Sequence, residues 1–295
     1  VSGVPFVRDF PFDYGRPDRL SERVTRVVAR NPGPFTFTGT GTYLVGNESG
    51  TAVIDPGPND ETHRSAVLAA APGPIEAILL THTHKDHSGG AAALARATGA
   101  PILGFDRHPS TPASAPPALD EGPDFALIPD RRLADGDAVT LPGATLRALH
   151  TPGHVSNHLC FALEEEAALF SGDHVMGWAT TVVAPPDGDM RDYLESLDKL
   201  IGRDDRLYYP THGAPIRSPL PFVRAVKAHR LARDEAILAA LAQGGATPDA
   251  IVAAVYEGLD PALRTAAALN VTAHLLMHLA DGRVAAAGLG RYALA

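Results

Sequence analysis

From Leu79 to Gly90 the chain reads Leu-Leu-Thr-His-Thr-His-Lys-Asp-His-Ser-Gly-Gly, which places His82, His84, Asp86 and His87 within six residues. The apolar run Ile75 to Leu80 comes directly before it, bounded by Pro74, and reads as a buried strand. Backbone leaving a strand into a loop can aim alternate side chains at one point, so His82 and His84 can face the same way. Asp86 and His87 can then face a second position beside them. Imidazole with carboxylate is the donor set of a borderline-soft divalent ion. A lone loop histidine is usually just solvated or hydrogen-bonded. Four ligand-type side chains at one strand-to-helix junction read instead as a metal site with room for two ions.

The same arrangement recurs downstream. Strands expected at Thr145–Leu149, Ala167–Phe170 and Leu207–Pro210 each run into a break that carries a metal-type side chain: His154, Asp173 and His212. Seven candidate ligands therefore fall at strand ends on one rim. Earlier, Thr36–Val45 and Thr51–Ile54 are β-rich around the Gly46–Gly50 hairpin signal, and Val24–Ala29 reads as an edge strand. Asp55, before Pro56, reads equally as a turn former or as a carboxylate that orients a metal-binding histidine. A helix is expected over Asn59–Ala71, capped by Asn59 or Asp60, and another over Gly90–Thr98. The alternation of strands and helices points to an α/β architecture with a mixed sheet. The Pro-, Ala- and Ser-rich stretch 109–123 reads as a loop lying over the site.

From Pro221 the composition turns to Ala- and Leu-rich helices, expected at Phe222–Leu241, Asp249–Tyr256 and Pro261–Leu279. Two short strands follow around Gly288–Gly290. Three helices and a hairpin describe a winged-helix module. Its third helix carries Arg264 as its one arginine or lysine, so a phosphate-tracking recognition helix is not expected. A wall of the substrate cleft or a dimer surface is the expected role. His274 and His278, four apart on that helix, lack a nearby third ligand and read as a core or rim pair.

At 295 residues the chain suggests two domains. A formal charge of −9 provides no global field for nucleic acid, and duplex DNA is not an expected partner. The single cysteine, Cys160, sits in an apolar run and reads as a buried strand residue in a reducing compartment. The first residues lack the succession of an export signal and no run reaches membrane-spanning length, so cytoplasm and no membrane are expected.

With HTHKDH at 82–87, PGH ending at His154, GD ending at Asp173 and THG around His212, the chain resembles the metallo-β-lactamase fold superfamily. The resemblance spans essentially residues 36–216 and implies an αββα sandwich over 1–220, followed by a winged-helix-like domain over 221–295. It implies one metal held by His82, His84 and His154, a second by Asp86, His87 and His212, and Asp173 bridging them. Two zinc ions are expected, with manganese or iron also acceptable to such donors. TGTGTYLVG, LLTHTHKDHSGG, TPGHVSNHLCF and LFSGDHVMGWATTVV are further similar to the lactamase-β-like protein 2 branch, which includes endoribonucleases acting on single strands.

The expected chemistry is hydrolysis by a metal-bridging hydroxide, since water between two divalent ions loses its proton near neutral pH. Asp86 is expected to orient the nucleophile or take its proton. His158 is the candidate donor to a developing oxyanion, with Asn157 as alternative, against a simple strand-capping role. The leading substrate expectation is a phosphodiester in single-stranded RNA, taken from the branch. The alternative is a small carbonyl substrate such as a thioester, lactone or β-lactam, and a third reading is a non-catalytic scaffold.

Overall fold

The computed structural model describes residues 3–109 and 122–295, so most of the proline-rich stretch expected over the site lies outside the described residues. A seven-stranded sheet runs in chain order through β1 (Pro17–Arg19), β2 (Val24–Val28), β3 (Gly41–Asn47), β4 (Gly50–Ile54), β5 (Ile75–Leu79), β6 (Ile102–Gly104) and β7 (Arg131–Arg132). The β2–β3–β4 meander is antiparallel, with a tight turn between β3 and β4. Pairing turns parallel from β4 onward, where helices α1 (Glu61–Ala70), α2 (Lys85–Ser88) and α3 (Ala91–Thr98) make the crossovers. Asp60 caps α1 by accepting from the His63 amide at 2.7 Å. The strand expected at the edge, β2, is covered by β1. Three residues beginning with proline are too short to show a period, which is why that strand escapes a pattern search.

The second sheet holds β8 (Ala138–Leu141), β9 (Ala144–His150), β10 (Leu159–Leu163), β11 (Ala168–Gly172) and β12 (Leu207–Pro210), in the order β12-β11-β10-β9-β8. Only its β11–β12 pair is parallel, joined through helix α4 (Met190–Ile201). The central strands are buried on both faces and therefore read as continuous apolar runs. In β5, Ala77 and Leu79 point between the sheets, while Ile78 faces α1 and α3. In β10, Phe161 and Leu163 point inward, and Cys160 faces α4, where burial pushes its thiol up to about 12. The result is the αββα sandwich implied by the resemblance.

The tail comprises α5 (Pro219–Leu241), α6 (Pro248–Val255), α7 (Arg264–Ala280), β13 (Val284–Ala286) and β14 (Tyr292–Leu294). Thr247 caps α6 by accepting from the Ala250 amide, with Pro248 in the first turn. Ile237, Leu241, Ile251, Val271 and Leu275 form the tail's own core. The first half of α5 belongs elsewhere: Phe222, Val223 and Val226 pack with Leu197 and Tyr208 on the outer face of the second sheet. One helix thus spans both cores. No helix among the described residues is long and apolar enough to cross a membrane.

Between the sheets Tyr43 meets Phe170 edge-on and Tyr209 at a tilt, and its hydroxyl donates to the Pro210 carbonyl at 2.6 Å, tying β3 to β12. Tyr43→Phe removes the donor and leaves a carbonyl unpaired in the core. Denaturant unfolding is expected to show a loss of about 1–3 kcal/mol.

Candidate metal centre

The two sheets end their central strands on one edge, and the seven residues singled out from the sequence meet there. His82 follows β5, His84 caps α2, and Asp86 and His87 ride on that one-turn helix. His154 follows β9, Asp173 follows β11 and His212 follows β12. Three clusters have ligand atoms within 4.8 Å of one another: His82 with His84 and His154, His82 with His87 and Asp173, and Asp86 with His87 and His212. Asp173 turns Oδ1 toward His87 Nε2 and His212 Nε2, each at 3.5 Å, and Oδ2 toward His154 Nε2 at 4.0 Å. One carboxylate therefore faces both halves of the cluster.

The atoms aimed inward include buried polar groups without hydrogen-bond partners: His82 Nε2, His87 Nε2, Asp86 Oδ1 and Asp173 Oδ1. Buried polar atoms are rarely orphaned unless a ligand or ion completes them. Neutral imidazoles and carboxylates converging in this way fit divalent cations.

Four of the five histidines are held by their other nitrogen, while His84 Nδ1 lies 3.3 Å from His154 Nε2. His87 Nδ1 donates to Asp55 Oδ2 at 2.8 Å, and His212 Nδ1 to the Gly39 carbonyl at 3.2 Å. His154 Nδ1 donates to the Val182 carbonyl at 2.7 Å, with Thr181 Oγ1 at 3.2 Å. Thr81 Oγ1 gives its one proton to Asp55, so it must accept from His82 Nδ1 at 3.0 Å. In the neutral imidazoles that metal binding requires, these bonds place the proton on Nδ1 and leave the Nε2 lone pair toward the centre.

Asp55 organises much of this. Wholly buried and at φ 49°, it also accepts from the Thr81 amide (2.8 Å), Thr81 Oγ1 (2.7 Å) and Thr211 Oγ1 (3.0 Å). Of the two readings open in the sequence, the orienting carboxylate is the one the geometry shows. Burial disfavours charge throughout the cluster. The carboxylates of Asp86, Asp173 and Asp55 nevertheless hold His87 well above the usual imidazole range, while His87 and His212 hold Asp86 well below the usual carboxylate range.

His158, the expected oxyanion donor, is fully enclosed. Its Nε2 accepts from the Asp173 amide at 3.2 Å, and its Nδ1 donates to Thr151 Oγ1 at 2.9 Å. It backs Asp173 from behind and turns no donor toward solvent. A Cβ on Gly172 (φ +52°) would lie 2.5 Å from His158 Nε2, so this approach requires glycine. Asn157 is likewise committed, donating to Thr83 Oγ1 at 2.8 Å. His174 packs against Tyr193 and His158. His274 and His278 both meet Asp234 Oδ1, at 2.9 and 2.7 Å, as a core pair on a carboxylate that the sequence did not suggest.

Sequence reasoning missed three groups at the mouth. His108 lies at the centre's edge, with Nδ1 3.1 Å from Thr83 Oγ1 and Nε2 3.7 Å from Asp187. Arg230 and Asn270 reach in from the tail. Nothing in the local pattern marks any of them. A cavity of about 740 Å³ opens onto His84, His154 and Asp173. Phe35, Trp178 and Val182 wall one side of it, and Tyr256, Leu263 and Leu269 of the tail wall the other.

Residues 36–212 match the family model described as the metallo-beta-lactamase superfamily, and residues 247–291 match the beta-lactamase associated winged helix domain. The chain is 32% identical over 287 residues to the atrochrysone carboxyl ACP thioesterase dmxR1 of Cryptosporiopsis sp., covering 91% of this chain and 83% of that one. It is 36% identical over 272 residues to the beta-lactamase-like protein 2 homolog of Caenorhabditis elegans, covering 90% and 88%. A beta-lactamase domain protein from Burkholderia ambifaria shares the fold at a TM-score of 0.80 and 24% identity, over 97% of this chain and 96% of that one.

Asp55→Asn replaces an acceptor-only group by an amide whose donor faces other donors. Competition against a chelator is expected to show metal affinity at the Asp86–His87–His212 position falling by about 10- to 100-fold.

Proposed function

The chain belongs to the metallo-beta-lactamase superfamily and is a metallo-hydrolase, and on that premise we propose that it hydrolyses thioesters of apolar acyl groups. The observation that carries this reading is the cavity: it opens on three of the candidate ligands, and apolar side chains from both the sandwich and the tail line it. Thioesterase is also the name of the similar proteins of Cryptosporiopsis sp. and Claviceps purpurea. The expectation of single-stranded RNA draws no support from the same walls. Among the described lining residues Arg8 and Arg230 are the only arginines or lysines, and Arg230 is committed to protein oxygens. A net charge of −9 adds no attraction for a polyanion.

In this reading His82, His84 and His154 would hold one divalent ion and Asp86, His87 and His212 the other, with the Asp173 carboxylate facing both groups. Zinc suits the donors best, and manganese or iron are acceptable to them. The ions supply Lewis acidity and a water acidic enough to lose its proton near neutral pH. Asp86 Oδ2 faces His87 Nε2 and His212 Nε2 and would serve as the ligand oxygen, while Oδ1, buried and unpaired, would be free to accept a proton from a water held beside it. Asp55, Thr81 and the Val182 carbonyl keep the imidazoles in one orientation, so little reorganisation accompanies reaction. The apolar walls exclude bulk water and bind the acyl chain, leaving the thioester carbonyl beside His84 and His154. We divide the chain at residue 220: the domain from 221 onward supplies one wall and with it acyl selectivity.

Metal-loaded protein is assayed against acyl thioesters of graded length, with a labelled single-stranded RNA alongside. Thioester turnover is expected, falling in Asp173→Ala to the level of the metal-free protein. RNA cleavage lost in the same variant, without thioester turnover, would replace this reading by a phosphodiesterase.

A further inference from the structure

Two tail residues leave their own core to grip the loop that holds a candidate ligand. Asn270 of α7 and Arg230 of α5 are 9% and 2% exposed, and both border the cavity. Asn270 Oδ1 accepts from the Val183 amide at 3.0 Å, while its Nδ2 donates to the Ala266 carbonyl at 3.0 Å, which fixes the side-chain amide on its helix. Arg230 Nη1 donates to the same Oδ1 at 3.3 Å, and Nη2 donates to the Thr181 carbonyl. The guanidinium lies 5.1 Å from the centre of the Tyr193 ring.

The amide that Asn270 binds is one end of a peptide unit whose other end holds His154. Val182 O accepts from His154 Nδ1 at 2.7 Å, and the N–H on the same planar unit is that of Val183. A trans peptide is rigid and points its C=O and N–H in opposite directions, so aiming one aims the other. The relay runs His154 Nδ1–H to Val182 C=O, then Val183 N–H to Asn270 Oδ1. Arg230 pins the preceding carbonyl and so limits rotation of the unit about its flanking bonds.

We infer that Asn270, steadied by Arg230, is a positioning residue through which the tail sets the His154 imidazole and hence the affinity of the His82–His84–His154 position for its ion. This rests on the reading above that the centre holds two divalent ions. Thr181 Oγ1, at 3.2 Å from His154 Nδ1, offers a second acceptor, so losing Asn270 weakens that position without abolishing it. Because Asn270 and Arg230 also face the cavity, whatever fills it touches the same groups that hold the ligand loop.

The test is zinc titration of the metal-free, full-length chain against a chromophoric chelator. Wild-type protein is expected to bind two equivalents. Asn270→Ala is expected to weaken one of them by about tenfold, the low end for residues that hold a ligand in place, and to leave the other unchanged. Asn270→Asp keeps the acceptor for the Val183 amide and is expected to stay close to wild type. Asp234→Ala serves as the control, since it disturbs the same tail core at His274 and His278 without touching the relay. Both equivalents are expected to keep their affinity in that variant. If Asn270→Ala does not fold, Asn270→Ser, one bond shorter, takes its place. Two wild-type affinities in the alanine or serine variant, or an equal loss in Asp234→Ala, overturn the inference alone. Wild-type protein that takes up no zinc overturns the reading of the centre, and the inference with it.

Discussion

A carboxylate sealed from water, Asp55, is the constraint on which the site depends. A buried charge is tolerated only when paired and hydrogen-bonded. Asp55 meets that demand with the Thr81 amide and hydroxyl after β5, the Thr211 hydroxyl after β12 and His87 on α2. These groups come from both sheets and from the helix that carries Asp86. Satisfying one carboxylate therefore draws the strand ends together and turns His82, His87 and His212 toward a common space. Its left-handed backbone is a local cost that this network offsets.

The rest of the architecture supports that edge. Two apolar layers register the strands, and the Tyr43–Pro210 bond holds the layers together close to where β12 releases His212. Behind the site, His158 steadies the amide of Asp173, which keeps that carboxylate facing both halves of the cluster. From outside, the tail closes the cavity and reaches the Val182–Val183 amide. In the reading proposed above, metal binding, substrate binding and domain packing would share a few residues, linked by bonds that can be named.

The ligand-type residues were legible because each falls in the segment that follows a strand, where the apolar run ends and metal-type side chains appear. The layers were legible for a related reason: strands buried on both faces are continuous in apolar character, and the tail helices carry clear caps such as Thr247-Pro248. What stayed hidden involved partners distant in sequence. Asp55 was ambiguous because a turn-forming aspartate before proline looks the same whether or not a histidine lies above it. His158 looked like a donor until the fold enclosed it beneath Asp173. Asn270 and Val183 are 87 residues apart, and no local period marks either. The proline-rich stretch thought to lie over the site falls largely outside the described residues.

In the proposed reading the seven side chains form one preorganised centre for two divalent ions. Anomalous diffraction at the zinc edge from crystals grown with zinc tests it most directly. Two peaks are expected, one within bonding distance of His82, His84 and His154 and the other of Asp86, His87 and His212, with Asp173 touching both. A single peak, or zinc bound only at surface histidines, would contradict it.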